Sequence, residues 1–175
     1  MWPDVKVTIR KFNRTDIPKK MEWINNPANN RFLHYDIPIT VEKTEQWFDS
    51  HAGDTSRYDA VIEADGIPVG TIGLLGIDTR NGKAEYYIAM GEVRYKGQGI
   101  ATDASHLILQ YGFETLGLNR IYLFTEVDNT TAQKLFEKVG FRKEGIVRKD
   151  VLSHGQFADR YIYGLLREDW EKTRG

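Results

Sequence analysis

Two Asx-Gly dipeptides constrain the middle of this chain. Asp65-Gly66 and Asn81-Gly82 separate three strand-patterned runs, residues 58–63, 67–75 and 83–90. Asp-Gly and Asn-Gly favour the positive-φ conformations that tight hairpin turns require. Three successive strands joined by such turns predict an antiparallel meander, with Pro68 suited to a strand start or an edge. A doubly wound dinucleotide fold needs strand–helix alternation from its beginning, and this pattern denies it.

The flanks complete an α+β order. Residues 5–10 alternate apolar and polar, as a strand with one buried face does. Thr15 can cap a helix carrying Met21, Trp23 and Ile24, with Pro18 in its first turn. Residues 27–39 read as a loop, and Thr40 caps a second helix that stops near Gly53. After the meander, Ile100, Ala104, Leu107, Ile108 and Tyr111 recur at helical spacing up to Gly117. Residues 121–127 are the next strand. Asn129 caps a helix closed by Gly140, and residues 141–150 and 157–166 form a last hairpin across Ser153-His154-Gly155. The expected order is β, α, α, β, β, β, α, β, α, β, β: a mixed, mostly antiparallel sheet with about four helices.

Composition narrows the function classes. The 175 residues suit one domain spanning 1–175, with 41% apolar and 28% charged residues. A net charge of -1 offers no bulk attraction for nucleic acid. There is no cysteine, which removes disulfides, thiolate metal sites and a cysteine nucleophile. The four histidines lack paired ligand spacing, so no metal site is expected. Met1-Trp2-Pro3-Asp4-Val5-Lys6 lacks the pattern of a signal peptide, and no apolar run approaches a membrane span. A cytoplasmic domain without nucleic-acid or membrane partners is the expectation.

Arg94-Tyr95-Lys96-Gly97-Gln98-Gly99 leaves a strand, and Ile100 opens a helix. The glycines let the backbone curl, and the helix start leaves N–H groups unpartnered with positive potential behind them. A diphosphate satisfies both demands. No Gly-Lys-Ser/Thr follows, so this is not a P-loop. The third glycine of the dinucleotide fingerprint is also missing. From spacing alone, a phosphate cradle and a plain glycine-rich turn with solvated basic residues both stand.

Together with two further segments, the loop resembles the GNAT superfamily of acetyltransferases. Those segments are Ala84-Glu85-Tyr86-Tyr87-Ile88 before the loop, and Asn129-Thr130-Thr131-Ala132 running on to Val139-Gly140-Phe141. The resemblance covers nearly the whole chain, with ribosomal-protein N-terminal and spermidine N-acetyltransferases as the nearest branches. It implies a GNAT-like domain whose sheet splays beside the loop. It also implies acetyl-CoA as donor, its pantetheine along Tyr87 to Val93. Met90, Val93, Arg94, Lys96, Gly97, Gln98, Gly99, Ile100, Ala101, Asn129 and Phe136 would contact the donor, and His34, Tyr35 and Tyr87 would shape the acceptor site.

Direct transfer to an amine needs a proton acceptor, since an ammonium has no lone pair. Glu85, on the strand before the loop, is the candidate. Many relatives place a tyrosine where this chain has Phe136, so no group is assigned to protonate the departing thiolate. Residues 36–59 carry six acids against two bases, an acidic segment able to attract a polyamine or a protein N-terminus. A nucleotide-aminosugar acceptor is the alternative, drawing on Arg31, Arg57 and Arg148. A CoA-binding sensor or partner-binding module is the non-enzymatic one. Exposed strand edges and tryptophan-bearing helices are compatible with a homodimer.

Overall fold

The computed structural model describes residues 4–174. Met1, Trp2 and Pro3, which begin the segment read above for a signal peptide, lie outside the described residues. The chain builds one seven-stranded sheet from β1 (Val7–Lys11), β2 (Tyr58–Ala64), β3 (Ile67–Asp78), β4 (Lys83–Met90), β5 (Arg120–Glu126), β6 (Arg142–Ser153) and β7 (Gln156–Leu166), in the order β1-β2-β3-β4-β5-β7-β6. Every adjacent pair is antiparallel except β4 and β5. The expected meander is β2-β3-β4, and Asp65, Gly66 and Gly82 all adopt positive φ in its turns.

Successive strand residues face opposite sides of the sheet. On β2, Ala60 and Ile62 join the main core with Ile72, Leu74, Ile121 and Leu123, beneath α3 (Ile100–Gln110) and α4 (Thr130–Val139). Val61 points the other way and packs with Phe12 and Ile17 under α1 (Ile17–Asn25) and α2 (Val41–Ser50). The sheet therefore separates two helical layers, and any gap in it opens toward both.

Three sequence expectations need correction. A fifth helix, α5 (Arg167–Thr173), follows β7 and buries Trp170 against Phe113, ring centroids 5.1 Å apart. It is only two turns long and carries one apolar anchor, too little for periodicity to show. The cap before α1 is Asn13, not Thr15. Asn13 accepts the Thr15 N–H while Asp16 accepts the Asn13 N–H, closing a capping box over a 3-10 turn at Arg14–Asp16. Burial pushes the Asp16 carboxyl up, but Arg10, at 2.8 Å on both oxygens, and the Asn13 N–H hold it below its ordinary range. Finally, the last hairpin runs through Ser153 and Gln156, with an irregularity between Val147 and Val151 where Lys149 takes positive φ.

Candidate active site

β4 and β5 pair over only three rungs: Lys83 with Arg120, Ala84 with Ile121 and Glu85 with Tyr122. Beyond them the strands part. β4 stays paired to β3 as far as Met90, and β5 to β7 as far as Glu126, so the two halves of the sheet diverge as a wedge. Residues 86–90 of β4 and 123–126 of β5 face each other across a cavity of about 650 Å³. Parallel strands need a long crossover, and α3 supplies it. The inner edge of β4 is thus left with backbone groups able to pair an extended ligand.

The cavity ends on the glycine loop. Gly91 closes β4 with its N–H on the Val69 carbonyl, and a Cβ there would meet the Trp23 ring at 2.2 Å. After a 3-10 turn at Val93–Tyr95, Gly97 and Gly99 both sit at φ 79°, where an L side chain is strained. Gly99 is the N-cap of α3 and supplies no side-chain cap; the first helical bond runs from the Asp103 N–H to its carbonyl. The N–H groups of Ile100, Ala101 and Thr102 therefore remain for another acceptor. Lys96, Gly97, Gly99, Ile100, Ala101 and Met90 line the cavity, and so does Thr102, which the sequence reading missed. Val93, Arg94 and Gln98 stand outside the lining. Val93 is exposed, the Arg94 guanidinium lies over Tyr95 at 4.9 Å, and the Gln98 amide donates to the Arg94 carbonyl. They shape the loop from behind.

The N-cap of α4 and several residues of the helix reach the same space. Asn129 lines the cavity, but its side-chain oxygen already caps α4 by accepting the Ala132 N–H. Phe136 is 7% exposed and packs edge-on against Tyr86, with Tyr163 and Phe141 behind it. It supplies apolar wall and no hydroxyl.

On the other face, Glu85 sits at the closed end of the wedge. Burial raises its carboxyl above the usual range; Arg160 opposes that and Asp150 adds to it, both through charge alone. Tyr87, two residues on, donates its hydroxyl to Asp59, which Arg57 grips at 2.7 and 2.9 Å. Burial and the Asp59 carboxylate push the Tyr87 hydroxyl well above its ordinary value. Tyr35 does not line the cavity and is 48% exposed.

His34 lines the cavity and reaches Glu126 at 2.9 Å. Glu126, at the last residue of β5, is 7% exposed and also accepts from Ser153 Oγ at 3.3 Å. Sequence reasoning passed over Glu126 and Arg160. Glu126 lies within the run 121–127 read as a strand, and Arg160 lies in the final hairpin. Arg160 sits over Phe124 at 4.8 Å and bonds Asp150 at 2.8 Å. His154 donates to the Arg31 carbonyl at 2.8 Å and ties the hairpin tip to the 27–39 loop. The acidic segment is also partly spent. Asp49 pairs with Arg14, Asp54 with His51, and Asp59 with Arg57, leaving Asp36, Glu42 and Glu45 unpaired among the ion pairs of the described residues.

Among the described residues, no group of three metal-ligating side chains forms, and no helix is long and apolar enough to cross a membrane.

Comparison with known proteins agrees with this geometry. The model of the "Acetyltransferase (GNAT) domain" family matches residues 6–142. Bacillus subtilis YdaF, whose name provisionally makes it a ribosomal N-acetyltransferase, is 35% identical over 175 residues, covering 94% of this chain and 93% of that protein. The spermidine N(1)-acetyltransferase of Escherichia coli K12 is 29% identical over 151 residues, 86% of this chain and 81% of its own. Among solved structures, Vibrio cholerae spermidine N-acetyltransferase in complex with CoA and spermine superposes with a TM-score of 0.87 at 24% identity, over 94% of this chain and 98% of that one. A GNAT-family match over most of the chain, on a sheet that opens into a glycine loop and an uncapped helix, makes this chain a member of the GNAT acetyltransferase family.

Proposed function

We propose that the chain moves the acetyl group of acetyl-CoA to a primary amine by direct attack. The observation that carries this reading is the wedge. It opens beyond the Glu85–Tyr122 rung, exposes residues 86–90 of β4, and runs onto the free N–H groups that begin α3. A diphosphate would be held by the N–H groups of residues 100–102 with Lys96 nearby. The pantetheine would pair along the β4 edge, with Phe136 as apolar wall. Glu85 would accept the proton that an incoming ammonium must lose. Its raised carboxyl and charge-only surroundings leave it free to do so.

The acceptor is a small or peptide amine, with polyamines and protein N-termini first in order. The relatives named for spermidine support that order. So do Asp36, Glu42 and Glu45, which keep their charge free of ion pairs. A nucleotide-sugar acceptor loses Arg57, which is committed to Asp59. Free-thiol release from acetyl-CoA, followed with polyamines, N-terminal peptides and nucleotide aminosugars, tests the proposal. Amine-dependent release is expected, fastest with a polyamine or peptide. Tight CoA binding with no release for any amine would make the protein a binding module instead.

A further inference from the structure

One proton in this reaction lacks a carrier. Glu85 accounts for the proton an ammonium loses before attack. Once the nitrogen bonds to the thioester carbon it must shed another, and the departing sulfur must gain one. Phe136 has no hydroxyl to give. The two tyrosines on the open part of β4 are committed elsewhere. Tyr86 is bonded to Ser105 Oγ at 2.7 Å on the α3 side, and Tyr87 is bonded to Asp59.

Among the described residues, His34 is the only imidazole in the cavity lining. It stands on the loop between α1 and α2, beside Phe32 and Leu33, which also line the cavity. Its Nε2 is 2.9 Å from Glu126 Oε2. Glu126 lies four residues, about 13 Å of strand, beyond the Tyr122 rung, where the wedge is open. It is 7% exposed and also accepts from Ser153 Oγ. A buried carboxylate bonded to one imidazole nitrogen sets the ring's orientation and stabilises the imidazolium that forms when the other nitrogen takes a proton. That other nitrogen, Nδ1, is left to exchange protons with the cavity.

We propose that His34, oriented by Glu126, carries the proton from the attacking nitrogen to the departing sulfur. This rests on the acetyl-transfer reading. The amine lone pair forms the C–N bond, and the carbonyl π pair moves onto oxygen. His34 Nδ1 takes the N–H proton and becomes imidazolium. The carbonyl re-forms, the C–S bond breaks with its electron pair going to sulfur, and Nδ1 returns its proton to that sulfur. The products are the amide and free CoA thiol, His34 ends neutral, and no further reactant is required. His34 is thus a catalytic residue and Glu126 a positioning one. A tyrosine at position 136 is unnecessary because one side chain serves both ends of the transfer.

The test uses the full chain, acetyl-CoA and the best amine from the panel above. H34Q should lower kcat by roughly 100-fold, the scale of lost proton-transfer catalysis. E126Q should lower it less, by about tenfold, the scale on which losing the group that orients an imidazole reduces activity. Calorimetric affinity for acetyl-CoA should stay within about twofold of wild type in both, well under 1 kcal/mol. Added imidazole should restore activity to H34G, and the double variant H34Q/F136Y should be faster than H34Q alone. A merely structural histidine would give neither rescue. An H34Q enzyme as fast as wild type, or an H34G variant that binds acetyl-CoA yet ignores imidazole, overturns the role of His34 and leaves the transfer reading standing. A wild type that binds acetyl-CoA and acetylates no amine overturns the transfer reading itself.

Discussion

Glu85 occupies the last rung that β4 and β5 share, so its side chain lies where the sheet has just ceased to be continuous. Burial raises its carboxyl, with Arg160 and Asp150 pulling in opposite directions. The sign for activity follows directly. The carboxylate accepts a proton only when ionised, so kcat/KM should fall as pH drops through the raised value. Glu85→Gln should remove that acid limb and cost about 100-fold in turnover, while leaving acetyl-CoA affinity intact. A pH–rate profile for Glu85→Gln that matches the wild type would remove Glu85 from the mechanism. This residue was legible in the sequence because it lies on the strand that runs into the glycine loop. The Glu126–His34 contact was not, because it joins residues 92 apart in the chain. Glu126 drew no notice within its strand, His34 was expected only to shape the acceptor site, and no local spacing rule links them.

At the scale of elements, the loop from Gly91 to Ile100 does most to place the site, and its sequence announced it. Glycines at 97 and 99 take the left-handed conformation, which a β-branched side chain adopts at a cost of roughly 1–3 kcal/mol. No atom lies within 4 Å of a Cβ built on Gly99, so a substitution there strains only the backbone that aims the first N–H groups of α3. Gly99→Val should therefore weaken CoA binding by at least about tenfold, or 1.4 kcal/mol, in a calorimetric titration, while the core signals of a folded protein persist. Unaltered CoA affinity would separate the helix start from diphosphate binding. Turn chemistry likewise revealed both meander hairpins, whereas α5 and the Asn13 cap escaped. A two-turn helix with one buried tryptophan carries almost no periodicity. Thr15 reads as the cap because it directly precedes Asp16-Ile17-Pro18, and the 3-10 turn that moves the cap back to Asn13 carries no pattern of its own.

The whole molecule turns on one exception in its sheet. All neighbouring strands are antiparallel save β4 and β5, and that pair separates after three rungs. Hydrophobic pattern and turn residues foretold the number and order of the strands. They could not foretell the cavity volume or the pairing of residues from the loop before α2 with the end of β5, which depend on how two half-sheets and two helical layers pack. In the proposed function the open edge of β4 and the start of α3 together receive acetyl-CoA. Amide hydrogen exchange, with and without saturating acetyl-CoA, tests this most directly. Slowed exchange concentrated in residues 86–93 and 99–102 is expected. Protection elsewhere with these amides unchanged, or no protection at all, would contradict it.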